Sequence, residues 1–365
     1  MSKLKFLFLF AILMASILSS SAQQKKISVI AYYAGPSYLL DSFQIDKLSE
    51  IIFCFAHLKG NELHIANARD SATLEKMVSL KKDNPKLKVV ISIGGWGGCA
   101  TCSDVFSSKK DRKAFAKSVR KITKSFGSDG IDLDWEYPAI EGFPGHRYQP
   151  EDKENFTMLV NQLRKKLGKK HEISFASGGF TQYVDESIEW KKVMKKVNRV
   201  NLMSYDLVSG YSTVTGNHTP LYSTPQQKES ADNAITLMLK RGVPADKIVI
   251  GAAFYAKVWQ DVPDTSFGLY QPGKYKMGVS YKNFDKQLSA DSGFVYHWDS
   301  TAQAPYIYNP DQKIFATFDD KKSIELKTKY VIDKGLNGIM FWQLGDDKFR
   351  DGLLDEINKT LTEDK

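Results

Sequence analysis

Eight short apolar, β-branched segments, separated by helix-like stretches along nearly the whole chain, restrict the fold more than any other feature. They are KISVIAYY (Lys26 to Tyr33), EIIFCFAH (Glu50 to His57), KVVISIGG (Lys88 to Gly95), DGIDLDWE (Asp129 to Glu136), EISFASGG (Glu172 to Gly179), RVNLMSYD (Arg199 to Asp206), KIVIGAAFY (Lys247 to Tyr255) and GIMFWQL (Gly338 to Leu344). Between them, stretches such as Asp111 to Phe126 and Glu151 to Gly168 repeat their apolar residues at helical spacing. This is the pattern of repeated βαβ units around a parallel sheet, and eight units predict an α/β fold of the closed (β/α)8, or TIM, barrel type. The rhythm breaks once, from Val258 to about Ile314, where aromatic and glycine-rich sequence has no βα period. A small α+β insertion between the seventh and eighth strands is expected there.

Residues 1–22 combine Lys3 and Lys5, an apolar stretch from Phe6 to Leu18, and small residues up to Ala22. That arrangement reads as a secretory signal peptide cut after Ala22, because the apolar stretch is shorter than the roughly 20 residues of a membrane span. A secreted or periplasmic monomer with no membrane span is the expectation. Removing 22 of 365 residues leaves 343 in one domain, 23–365. Setting aside the 57 residues of the insertion leaves 286, close to the roughly 250 of this barrel type.

The formal charge is +9, and +7 without Lys3 and Lys5. The lysines (Lys81, Lys82, Lys109, Lys110, Lys165 and Lys166 among them) are scattered along the chain, which reads as solvated helix faces. A nucleic-acid partner would call for clustered cations with stacking aromatics, so none is expected. Cys99 and Cys102 form a lone C-x-x-C, for which a small loop disulfide is the preferred reading. Cys54 sits in an apolar run and reads as a buried hydrophobe.

In the fourth segment Asp132, Asp134 and Glu136 fall at i, i+2 and i+4, so the three carboxyls share one face of a strand, opposite Ile131, Leu133 and Trp135. In a barrel the apolar face meets the surrounding helices, which turns the acids inward with Glu136 nearest the C-terminal rim. Unpartnered buried charge is costly, so such a row must be protonated, hydrogen-bonded or functional. Like charges along one strand raise one another's pKa, which can leave the outermost acid protonated near neutral pH, as a general acid requires. An exposed acidic loop is disfavoured by the apolar alternation, and a transition-metal site by the lack of histidines at ligand spacing; calcium stays open. No cofactor or metal is expected.

DGIDLDWEYP resembles the D-G-x-D-x-D-x-E signature of glycoside hydrolase family eighteen, the chitinases, and the likeness extends over the mature chain through SIGGW (Ser92 to Trp96), MSYDL (Met203 to Leu207) and Trp342 in FWQL. The resemblance implies a retaining hydrolysis of chitin or N-acetylglucosamine oligosaccharides in which the sugar's own acetamide is the nucleophile. By motif position Glu136 would be the acid and base, Asp134 would orient the acetamide, Asp132 would hold the proton balance, and Tyr205 would donate to the acetamide oxygen. Asp206 would bind nearby sugar groups and Trp342 would floor the pocket. Trp96, Tyr32 and Tyr255 are candidate sugar platforms, together with Tyr33 and Trp259; Met203 is a further lining residue. Bland readings stand beside these: Tyr205 and Met203 as barrel filling, Trp342 as core, Asp206 as a cap. Asp319 and Asp320 precede a helical pattern and read as helix caps. FYAKVW, with Ala256 and Lys257, departs from the family's F-Y-G-R-x-W, and AYYAGPSY lacks a tryptophan often found after strand one. The competing readings are an endo-β-N-acetylglucosaminidase acting on N-glycan cores and a catalytically silent chitin-binding lectin.

Overall fold

The computed structural model describes residues 27–363, so the expected leader lies outside the described residues. The chain opens with β1 (Ser28–Tyr33) and β2 (Glu50–Lys59), and β3 (Glu62–His64) turns back antiparallel on β2. There follow β4 (Lys88–Gly94), β5 (Gly130–Asp134), β6 (Glu172–Gly178), β7 (Val200–Met203) and β8 (Ile248–Ala253). A second sheet intervenes, formed by β9 (Tyr255–Gln260), β10 (Lys274–Ser280), β11 (Val295–Asp299), β12 (Ala304–Asn309) and β13 (Ile314–Thr317), before β14 (Gly338–Trp342) returns to the first. The parallel order β1-β14-β8-β7-β6-β5-β4-β2 closes through β1 pairing with β2, which makes an eight-stranded TIM barrel.

In β5, period-two alternation puts the apolar set outward. Ile131, Leu133 and Trp135 join the large core between strands and helices, where Trp135 packs edge-on against Phe106. The helix Lys109–Phe126 shows how the covering layer is set: Ser108 Oγ accepts from the Asp111 N–H at its start, Gly127 ends it at φ 76°, and Phe115, Ala116 and Val119 face the barrel.

The second sheet runs antiparallel in the order β10-β9-β13-β12-β11 and buries its own apolar face, centred on Val258, Ile307 and Ala316. Its boundary differs from the expected one, because KIVIGAAFY passes through two sheets: β8 ends at Ala253, Phe254 crosses over, and Tyr255 already belongs to β9. No glycine or proline marks the change, and both strands are apolar. Trp259 is fully buried in this lobe and Tyr33 is fully buried beneath the barrel's covering layer, so neither is available as a sugar platform.

The two sheets are joined by a buried ion pair. Lys327 donates to both Asp319 oxygens at 2.8 and 2.7 Å and to Thr219 Oγ1 at 2.5 Å, while Asp319 also accepts from the Ala253 N–H at 2.9 Å. Asp319, expected as a helix cap, is instead the anchor of this junction; Asp320 is the cap, accepting from the Ser323 N–H at 2.8 Å. Removing one partner strands a charge in the interior. Lys327→Met is therefore expected to lower stability by about 3–5 kcal/mol, read by chemical denaturation. A loss below about 1 kcal/mol would show that the pair does not hold the junction.

Candidate active site

Inside the barrel, polar side chains stack in layers beside an apolar cluster that includes Ile30, Ile52, Val90, Val249 and Met340. At the N-terminal end Arg199 bridges Glu50 at 2.8 Å and Glu172 at 2.7 Å, all three nearly inaccessible. Burial lifts Glu50 to about 7 even though Arg199 draws it down. In the middle layer Asp132 has no exposed surface and accepts four hydrogen bonds: Ser174 Oγ at 2.6 Å and Asn201 Nδ2 at 3.2 Å on Oδ1, Ser92 Oγ at 2.9 Å and Tyr32 OH at 3.1 Å on Oδ2. Burial raises Asp132, and those donors oppose the rise. Tyr32, expected as a platform, is among the cavity's lining residues; it is 2 % exposed and donates to Asp132 from below.

The upper layer is the pair Asp134 and Glu136. Burial, then the Glu136 and Asp132 charges, push Asp134 well above the usual carboxylate range, and its Oδ1 has no hydrogen-bond partner among the described residues. Burial lifts Glu136 to about 7, against a hydrogen bond with Asp134 that pulls it down. Both carboxyls are therefore shifted toward their protonated forms, and they titrate as a pair.

Strand β5 ends at Asp134 and β7 at Met203, so Glu136, Tyr205 and Asp206 all stand on the loops just past the C-terminal strand ends. They open into a cavity of about 800 Å³, which also takes in Met203, Tyr255, Trp96 and Trp342. Gly94 and Gly95, at φ 105° and 78°, turn the chain so that Trp96 stands 47 % exposed at the rim; a Cβ on Gly94 would lie 2.0 Å from the Asp134 carbonyl oxygen. Trp342 rests flat on Phe55, ring centroids 5.6 Å apart.

Asp206 leaves β7 in the left-handed region, φ 57°, which aspartate tolerates better than most residues. Its Oδ1 accepts from Tyr255 OH at 2.6 Å and faces Lys257 Nζ at 3.2 Å and His218 Nδ1 at 3.5 Å. Burial raises its pKa, but His218, Lys257 and Tyr255 outweigh that and hold it below the usual range. Tyr255 thus acts on the cavity through Asp206 as well as through its ring.

Sequence reasoning missed Phe55, Tyr211, Tyr275 and His218, and passed over Lys257 except as a departure. Tyr211 and Tyr275 come from a loop and from β10, far apart in the chain, and only the fold brings them to one wall. Cys99 and Cys102 are disulfide-bonded beside Gly94.

The chain matches the glycosyl hydrolases family 18 over residues 21–347. It is 33 % identical over 315 residues to chitinase A1 of Niallia circulans, covering 80 % of this chain and 44 % of that protein, so it spans less than half of that relative. It is 30 % identical over 320 residues to chitotriosidase-1 of Mus musculus, covering 83 % and 68 %. Among solved structures, a glycoside hydrolase family 18 N-acetylglucosaminidase from Paenibacillus barengoltzii superposes with a TM-score of 0.83 at 32 % identity, covering 92 % of this chain and 100 % of that one.

The paired titration makes a prediction that needs no substrate. Carbon-13 spectra of labelled carboxyls should show Glu136 titrating near pH 7. In Asp132→Asn the negative charge below is gone, deprotonation is easier, and the titrations of the upper pair should move to lower pH by about a unit. An unmoved titration would mean that Asp132 does not set the proton balance of the pair.

Proposed function

The chain belongs to family 18 of the glycosyl hydrolases, and from that premise we propose that it is a secreted chitinase: a retaining, endo-acting glycosidase that hydrolyses β-1,4 bonds between N-acetylglucosamine units by substrate-assisted catalysis. The observation that carries the reading is the Asp134–Glu136 pair, two buried, hydrogen-bonded carboxyls shifted toward protonation at the floor of an aromatic-walled cavity.

In this reading a sugar sits over Trp342 with its acetamide directed at Asp134 and Tyr205. Glu136 gives its proton to the glycosidic oxygen as the C1–O bond breaks, and the acetamide carbonyl oxygen closes on C1, leaving a positively charged oxazolinium. Asp134, whose Oδ1 has no partner in the free site, accepts the acetamide N–H, and its negative charge stabilises the cation as it forms. Tyr205 holds the acetamide oxygen in line. Glu136, now a carboxylate, takes a proton from water, whose oxygen attacks C1 and reopens the ring with the original β configuration. Because the nucleophile belongs to the substrate, only N-acetylated sugars complete the site.

The proton held by Glu136 sets the direction of the pH response. Turnover should fall as pH rises through about 7 and the acid is lost. Glu136→Gln removes the proton donor and should lower kcat by about 10²- to 10⁴-fold on a chromogenic chitobioside; equal release by both proteins would rule out Glu136 as the acid, and release by neither would leave the lectin reading. With a long soluble N-acetylglucosamine oligomer, the first products should be internal fragments carrying the β-anomer. Single units released from one end would support instead the exo action that the name of the Paenibacillus protein raises. The wall formed by Tyr255, Lys257 and Tyr275 favours a linear chain over a branched one, so intact N-glycans should not be released from ribonuclease B.

A further inference from the structure

We propose that the end of the barrel opposite the cleft is a docking surface for a layer of anionic lipid headgroups. Parallel strands put the C-terminus of every covering helix at that end, so lysines that are scattered in the sequence converge there. Three successive loops carry the cations: Lys121 and Lys124 before β5, Lys165, Lys166, Lys169 and Lys170 before β6, and Lys195 and Lys196 before β7, all exposed. The loops form one continuous surface, because Arg120 Nη1 donates to the Leu167 carbonyl at 3.1 Å and Arg164 Nε to the Lys196 carbonyl at 2.7 Å.

The acids of these loops are already engaged. Asp129 is paired with Lys81 at 2.8 Å, and Glu172 with Lys88 and with Arg199. Helix dipoles attract cations to a last turn, which accounts for Lys124, Lys165 and Lys166. They do not account for the other five, since Lys121 stands before the last turn, Lys169 and Lys170 lie past the Gly168 cap, and Lys195 and Lys196 lie past the short helix Trp190–Val193.

The chemistry of the patch selects its partner. All eight cations are lysines, strongly hydrated point charges, and no exposed large aromatic lies in these loops to stack on a base. Spread over three loops, they meet a plane of negative charge together, whereas a linear polyanion would touch only a line of them. The 16-residue helix Asp152–Leu167 spans about 24 Å between this end and the cleft side. That is about three Debye lengths at physiological salt, so docking would leave the acid pair undisturbed and the cleft facing away from the layer.

The test is co-sedimentation of the full chain with vesicles. Binding is expected with phosphatidylglycerol mixed into phosphatidylcholine, not with phosphatidylcholine alone, and it should be lost in high salt. The quadruple variant Lys165→Gln, Lys166→Gln, Lys169→Gln, Lys170→Gln should bind at least about tenfold more weakly. A control of equal net charge, Lys274→Gln, Lys276→Gln, Lys286→Gln, Lys313→Gln, should bind like the parent. The pair Lys195→Gln, Lys196→Gln serves as a second variant, and circular dichroism verifies that each is folded. Absence of binding to the mixed vesicles, or equal loss in the quadruple variant and the control, overturns the proposal. Tighter capture by heparin than by vesicles also overturns it, since the surface would then belong to a linear polyanion.

Discussion

Asp132 has no surface on water, yet both of its oxygens are fully occupied by Ser92, Ser174, Tyr32 and Asn201. The upper site depends on that arrangement. A carboxyl buried without donors would take up a proton and cease to act as a charge, and its influence on the pair above would vanish. Four donors from four different strands oppose the rise that burial causes and fix its position, and its charge is one of those acting on Asp134. The Glu50–Arg199–Glu172 cluster lies below with its charges paired, beside the apolar residues Ile30, Ile52, Val90, Val249 and Met340. The column also limits what the barrel can tolerate, because a half-satisfied polar network is less favourable than an apolar one.

The second sheet completes the site from the side. β9 leaves the barrel one residue after β8 ends, and this short connection directs Tyr255 and Lys257 onto Asp206. The Lys327–Asp319 pair binds that connection to the helix Lys321–Asp333 through the Ala253 N–H. His218, next to Thr219 of the same network, faces Asp206 with its Nδ1. The orientation of one cavity carboxylate is thus tied to a buried ion pair at the junction of the two sheets.

What could be read in the sequence followed from period. Strands buried on both sides are continuous apolar runs, and a strand that alternates acids with Ile131, Leu133 and Trp135 states which face is which, so the barrel and the acid row were legible. The donors to Asp132 were not, because a serine or asparagine on a strand looks the same whether it solvates a buried acid or faces water. Tyr211, Tyr275 and Lys257 reach the cavity from separate elements, and no local pattern signals that convergence. Tyr32 lines the cavity at the expected strand end, but its hydrogen bond to Asp132 could not be read in advance, since alternation gives a side chain's direction and not its depth. The lysines misled for a related reason: dispersion along the chain says nothing about clustering when every helix ends on the same side of a barrel.

The cavity holds carboxyls whose surroundings push them in opposite directions, and this divides their roles. Asp134 and Glu136 lie deep, receive little compensation, and shift upward, which brings Glu136 to about 7. Asp206 is held down by His218, Lys257 and Tyr255, so it is a fixed negative charge at that pH. Its charge also adds to the rise of Glu136. Replacing the arginine expected at position 257 by lysine keeps the cation beside Asp206 but exchanges a rigid fork for a single flexible ammonium. Asp206 therefore keeps its charge while Tyr255, the shortest of its contacts, takes over the task of fixing its direction. Proton carriers and fixed charges can share one pocket because the protein supplies hydrogen-bond donors and cations to one and withholds them from the other.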